Sequence, residues 1–231
     1  MPSLGFCGRQ KGEKMRKYDT VLFDLDGTLT DPESGLVSSF KYALDKMGLE
    51  YGDRDSLKRF IGPPLYAEWK SLYSLSEADA DKALMLFHEY YSVYGWWDNE
   101  LYGGIKEMLS ALKGAGMTLA VATSKPEFFA KKVISLYGLC EFFDFIGAAD
   151  GDRARDKKHE VIDYVFGNIG EERRKRAVLV GDRKYDAAGA ALCGIDSVGV
   201  LWGHGSEEEI DGAGFTHKAS TPCEVIKIFG I

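Results

Sequence analysis

Two carboxylates two residues apart, Asp24 and Asp26, open the chemistry available to this chain. They follow the apolar run Thr20-Val21-Leu22-Phe23 and precede Gly27-Thr28-Leu29-Thr30. A short apolar run of strand formers reads as a buried parallel strand, and Gly27 with Thr28 ends it. The pair therefore falls at a strand's carboxyl end, where open α/β sheets place their ligands. On a regular strand, residues two apart point the same way. Carboxylates held side by side repel unless a cation sits between them, so the stretch predicts a metal site. Two plainer readings compete. A calcium loop wants Gly at its sixth position and a helix before it, whereas Gly27 is fourth and a strand precedes. Asp-Gly is also a surface-turn dipeptide, and the rest of the chain decides between turn and site.

Three further stations fall at strand ends. Thr123-Ser124-Lys125-Pro126 closes a second buried strand over 117–122. Gly181-Asp182-Arg183 closes a strand over 177–180, and Asp186 lies one helical turn beyond Asp182. Lys157 and Lys158 open a helix over 157–166. Taken singly, each has a plain reading: Thr123 as a structural strand end, Gly181-Asp182 as a turn, either lysine as a solvated surface residue. Parallel strands joined by right-handed crossovers present their carboxyl ends at one edge. The stations are thus expected to converge on one cleft.

The elements that would position them follow from periodicity. Pro32 permits a helix start, and Leu36, Val37, Phe40, Ala43, Leu44 and Met47 follow at helical spacing, with Gly48 as a C-cap. A short helix over 56–60 ends at Ile61-Gly62-Pro63-Pro64. An amphipathic helix spans 65–72, and another spans 79–94, ended by Gly95. No strand pattern appears between Asp31 and Glu100, so 32–99 is expected to be an inserted all-helical domain. Beyond it, helices over 105–112, 128–137, 157–166 and 186–193 alternate with strands over 117–122, 142–147, 177–180 and 197–201. Such alternation implies βαβ units: an α/β core with a parallel sheet and helices on both faces. The core comprises 15–31 and 100–231. Residues 1–14 are polar, with Gly5, Gly8 and Gly12, lack the apolar stretch of a secretory signal, and are expected to be a disordered tail. Met15 is a candidate true start.

Composition bounds the partners. The 231 residues suit one domain, or one core plus an insert. A formal charge of -7 argues against a nucleic-acid polymer, which wants a basic surface. It leaves room for a small phosphorylated metabolite held by a few local donors. No apolar run approaches a membrane span. Cys7, Cys140, Cys193 and Cys223 form no C-x-x-C pair, which fits reduced thiols and a cytoplasmic protein. His88, His159, His204 and His217 are scattered, and no metal role is assigned to them.

From residue 18 on, these motifs resemble the haloacid dehalogenase superfamily of phosphohydrolases. The residues carrying the likeness are Asp24-Leu25-Asp26-Gly27-Thr28, Thr123-Ser124-Lys125, Lys158, and Gly181-Asp182-Arg183-Lys184-Tyr185-Asp186. Phe60-Ile61-Gly62-Pro63-Pro64 and the Asp182–Asp186 motif look most like its phosphoglycolate-phosphatase-like and nucleotidase-like branch. The resemblance implies a Rossmann-like core with a helical cap, as monomer or homodimer, acting on small phosphate monoesters. It implies Asp24 as nucleophile and Asp26 as general acid and base. It implies Mg²⁺ held by Asp24, the Asp26 backbone carbonyl, Asp182 and Asp186. Thr123, Ser124, Gly27 and a lysine would bind the phosphoryl group. Lys158 is preferred over Lys157 because Val161, Ile162 and Val165 then fall where the following helix packs. Lys125 is a second candidate cation, and Arg183 is expected to anchor nearby carboxylates. Trp96 and Trp97 are expected to pack at the cap–core junction. The cap is expected to swing about 30–33 and 99–104, where Gly103 and Gly104 absorb rotation, and the Gly62 loop is expected to meet the leaving group. A sugar-phosphate phosphomutase shares every core motif and stands as the alternative reaction. A non-catalytic module on the same fold would show an eroded aspartate or lysine, and none is eroded. Dehalogenases lack an acid two residues after the nucleophile, so Asp26 argues against dehalogenation.

Overall fold

β1 (Thr20–Phe23) is fully buried and lies at the middle of the sheet. It pairs in parallel with β4 (Thr118–Pro126) on one side and β6 (Ala177–Gly181) on the other. β5 (Phe145–Ala149) adds beyond β4. β7 (Asp196–Val200) and β8 (His217–Ala219) add beyond β6, giving the order β5-β4-β1-β6-β7-β8, every pairing parallel. The structure, a computed structural model, describes residues 16–63, 65–150 and 154–231. The expectations for 1–14, Met15 and Pro64 lie outside the described residues.

A strand buried on both faces must be apolar throughout. Val21 and Phe23 pack into one cluster with Met108, Leu119 and Val180, and Leu22 packs into another with Ile162, Phe166 and Leu179. The first cluster is covered by α4 (Ile105–Gly114), α5 (Glu127–Leu136) and α9 (Pro222–Ile228), the second by α6 (Lys158–Ile169) and α7 (Lys184–Leu192). This is a Rossmann-like α/β fold with helices on both faces.

Between β2 (Thr30–Asp31) and β3 (Glu100–Leu101) the chain is helical: α1 (Glu33–Met47), a 3-10 helix (Asp55–Phe60), α2 (Leu65–Leu72), α3 (Glu77–Tyr90) and a π-helical turn (Tyr91–Gly95). These helices share their own cluster, centred on Phe40, Trp69 and Phe87. β2 and β3 pair antiparallel, so the outgoing and returning links are hydrogen-bonded to each other. Trp96 packs on both clusters that meet there, and Trp97 is exposed.

Several boundaries differ from expectation. The helix expected over 79–94 starts earlier, because Ser76 Oγ accepts the Asp79 N–H at 3.1 Å as an N-cap, and its last turn loosens into a π-helix. The strand expected over 142–147 begins at Phe145. Asp144 is held in place by its carboxylate, which accepts the Leu119 N–H at 2.9 Å, and Phe142 closes a 3-10 turn. β4 continues to Pro126 past its expected end, with a register shift between Thr123 and Pro126. β8, α9 and α8 (Glu207–Gly212) were not expected: His217-Lys218-Ala219 is too short and polar to show a period, and α8 is mostly acidic.

Candidate active site

Regular pairing of β1 stops at Phe23, and the next residues turn. Asp24 and Asp26 therefore do not share one cation between their side chains, as a regular strand would require. Each meets its own lysine. Lys158 Nζ lies 2.9 Å from Asp24 Oδ1, and Lys125 Nζ lies 3.0 and 2.7 Å from the two Asp26 oxygens. The β4 bulge explains the second pair. Bulges re-aim side chains beside active sites, and here Ser124 faces out while Thr123 and Lys125 are buried. Lys125 was a candidate for the phosphoryl group; its ammonium is instead committed to Asp26. Burial alone would lower its pKa, but the Asp26 charge and Tyr91 hold it above the ordinary value.

Lys158, not Lys157, reaches the aspartates. Lys157 is the exposed residue just ahead of α6. Lys158 is buried, with Nζ 2.9 Å from Asp24 Oδ1, 2.9 Å from Asp186 Oδ1 and donating to the Ala122 carbonyl at 3.0 Å. Its stem passes over Gly189 of α7, where a side chain would collide with it. Burial opposes its charge, but Asp186 and Asp24 raise its pKa above the ordinary value.

Asp182 follows β6 and is fully buried. Asp186 sits in the first turn of α7, where one oxygen accepts the Arg183 N–H at 3.0 Å. Oxygens of Asp24, Asp182 and Asp186 lie within 4.8 Å of one another. Burial raises the Asp182 carboxyl well above its usual range, and Asp186 and Asp24 push it further. Burial also raises Asp186, against the opposing pull of Lys158. Three carboxyl groups thus face one ammonium in a buried cluster. The donor set fits a hard divalent cation, which prefers carboxylate oxygens. The Asp26 side chain is not part of this cluster, a correction to any reading that places its carboxylate on the ion.

Gly27 does not line the cavity, and its N–H is given to the Thr30 carbonyl at 2.7 Å, so it offers no donor to a phosphoryl group. Its φ of 83° and bare Cα let the Asp182 carboxylate approach, where a Cβ would collide. Thr123 and Ser124 do line the cavity, and Thr123 Oγ1 accepts the Lys125 N–H at 3.2 Å. Gly62 lines it from the helical side and also abuts Arg183. Arg183 spans the two parts of the molecule. Its Nε is 2.9 Å from Glu209 Oε1, and its Nη1 donates to the Ile61 carbonyl. Its guanidinium anchors Glu209, while its backbone N–H holds Asp186.

The loop after β7 escaped sequence reasoning. The His204 N–H donates to Asp182 Oδ2 at 2.8 Å, and the Trp202 indole donates to the Thr28 carbonyl at 3.0 Å. Gly203 and Gly205 are the signal that was available: side chains there would strike the Asp182 and Gly27 backbone and carboxylate.

The family model described as haloacid dehalogenase-like hydrolase matches residues 21–200. The chain belongs to the haloacid dehalogenase-like hydrolases. It is similar to a 5'-nucleotidase of Pseudomonas aeruginosa, 38% identical over 201 residues, covering 87% of this chain and 90% of that one. It is similar to the tyrosine-protein kinase PtkA of Mycobacterium tuberculosis, 39% identical over 213 residues, covering 91% and 72%. The crystal structure of a predicted phosphatase from Clostridium acetobutylicum matches with a TM-score of 0.87 at 38% identity, covering 91% and 97%. Among haloacid dehalogenase-like hydrolases, this chain is a phosphatase. No helix among the described residues is long and apolar enough to cross a membrane.

Proposed function

We propose that this protein hydrolyses small phosphate monoesters through an aspartyl-phosphate on Asp24, with Mg²⁺ held by Asp24, Asp182, Asp186 and the Asp26 backbone carbonyl. The observation carrying this reading is the geometry of Asp24. Its carboxylate meets Lys158 at 2.9 Å, adjoins Asp182 and Asp186, and lines the same cavity as Asp26 and Thr123. A bound divalent ion would offset the repulsion between this carboxylate and an anionic phosphate.

An Asp24 oxygen attacks phosphorus, and the bond from phosphorus to the ester oxygen breaks. The departing alkoxide takes a proton from Asp26, which enters this step as the carboxylic acid and leaves it as the carboxylate that Lys125 holds. Asp26, then a carboxylate, takes a proton from water as that water attacks phosphorus, which releases inorganic phosphate and restores Asp24. Lys125 fixes the orientation of the Asp26 carboxyl group by its two contacts. Thr123 and the Ser124 N–H hold phosphoryl oxygens, and Lys158 neutralises their charge. The helical segment 32–99 acts as a cap that opens about the β2–β3 ribbon to admit substrate and closes to exclude water. Free cysteines at 140, 193 and 223 support a cytoplasmic location.

The test is release of inorganic phosphate over a panel of phosphate esters, with Mg²⁺ or with excess chelator. Turnover is expected with Mg²⁺ and lost in chelator, and Ca²⁺ should inhibit because its looser coordination misplaces the reacting atoms. Asp24→Asn should abolish turnover with the fold kept. Wild-type rates in that variant would refute the covalent step.

A further inference from the structure

The cavity holding Asp24 is about 530 Å³, far more than a phosphoryl group with a two-carbon acid requires. Its two walls differ in chemistry. The core edge carries the carboxylates and lysines. The helical wall is apolar: Leu36 of α1, Tyr66 of α2, and Leu84, Phe87 and His88 of α3 line it. Leu36, Tyr66, Leu84 and His88 keep part of their surface uncovered. Behind them the rings are fixed by packing. Phe87 stacks on Phe40 at 5.4 Å and on Tyr91 at 5.3 Å. Tyr91 meets Phe129 of the core edge-on at 4.9 Å, and His88 lies parallel to Phe129 at 6.5 Å. Burial lowers the His88 pKa, so the ring adds no positive charge at neutral pH.

No lysine, arginine or carboxylate of the helical segment lines the cavity among the described residues. The lining cations all come from the core. Lys125 is committed to Asp26, Lys158 to Asp24 and Asp186, and Arg183 to Glu209 and the Ile61 carbonyl. Lys157 is exposed. A leaving group bearing a carboxylate would give up its hydration against this wall without a counter-charge. A flat, uncharged ring would bury apolar surface and meet ring faces and edges.

We infer that this wall selects phosphate monoesters whose leaving group is a flat, uncharged ring system, and disfavours small acids such as glycolate. The inference rests on the phosphatase reading. Nucleosides and simple arylmethyl alcohols share the required chemistry.

Four esters that all leave as primary alkoxides separate ring recognition from intrinsic reactivity: a nucleoside 5'-monophosphate, benzyl phosphate, glucose 6-phosphate and 2-phosphoglycolate. With Mg²⁺ present, kcat/KM for both ring esters should exceed that for 2-phosphoglycolate by at least about tenfold, the scale of pocket discrimination. A nucleotide preferred over benzyl phosphate identifies a nucleoside as the occupant; the reverse identifies a simple aryl group. Leu84→Lys places a cation on the wall and should shrink the ring-to-glycolate ratio about tenfold, mainly through KM. Leu36→Lys does the same from α1 should Leu84→Lys fail to fold. Equal or better turnover of 2-phosphoglycolate by wild type overturns the wall's role while leaving the phosphatase intact. Turnover of none of the four overturns both.

Discussion

Replacing Gly189 with alanine tests how Lys158 is held. An ideal Cβ at 189 lies 2.6 Å from Lys158 Cγ and 2.7 Å from Lys158 Cβ, where ordinary contacts begin at 3.4 Å. The shortfall is about 0.8 Å against the nearer atom. The clash involves the root of the lysine, so swinging the ammonium does not relieve it. Either α6 and α7 move apart or Lys158 changes rotamer. Two energies of opposite sign follow. Alanine in a helix interior gains about 1 kcal/mol over glycine. Overpacking a filled interface costs about 1–3 kcal/mol. The net lies between no change and a loss of about 2 kcal/mol, so Tm should fall by at most about 8 °C at this chain length. Activity should fall further, since Lys158 Nζ sits 2.9 Å from Asp24 and Asp186 alike. A displacement of about 1 Å at such a group costs on the order of a hundredfold in rate. Phosphate release at saturating substrate and a thermal melt together read both effects. A variant with raised Tm and wild-type kcat would show that helix propensity alone operates and that this contact does not position the lysine.

Asp26→Asn should slow turnover by roughly two to four orders of magnitude, the usual worth of general acid–base catalysis. The loss should be smaller for a 4-nitrophenyl ester, whose phenolate departs without a proton, and an equal loss on both would remove Asp26 from the acid role and leave only the base role. Arg183→Gln removes the tie between Glu209 and the Ile61 carbonyl; KM should rise several-fold and label distances between α2 and α8 should lengthen, whereas unchanged distances would show that this tie does not hold the two parts together. Hydrogen bonds from Lys17 and Tyr18 hold the Asp196 carboxyl below its ordinary value. Its stabilisation is therefore fully present above pH of about 4 and lost as pH falls through the lower folded value. The stability difference between wild type and Asp196→Asn, read from thermal melts, should be small, under about 1 kcal/mol for so exposed a group, and should shrink from pH 7 towards pH 3. A gap that widens on acidification would reverse that sign. Gly62→Leu does not isolate selectivity: at φ 100° and against Arg183, a side chain strains the loop and pushes on the Arg183 contacts together.

The α/β alternation, the helical insert and the convergence of Asp24, Thr123, Lys158 and Asp182 were legible in the residues. Buried parallel strands must be apolar along their whole length, their ends must be marked by turn residues, and right-handed crossovers leave one edge for all four stations. Those constraints are local or topological, so spacing alone expresses them. Which charges meet was not legible. Asp24 and Asp26 part company because β1 stops at Phe23 and Gly27 turns the chain, and Lys125 reaches Asp26 only because a bulge in β4 turns Ser124 outward. What seats Lys158 was not legible either: α6 lands on α7 at a glycine whose missing side chain makes room. The His204 N–H supports Asp182 from about twenty residues away, and a backbone donor carries no residue-type signature; only Gly203 and Gly205 mark the close approach. The aromatic wall was visible only as helical periodicity. That these rings line the cavity holding Asp24 is a fact of tertiary packing, since the same stripe would serve equally well as plain core.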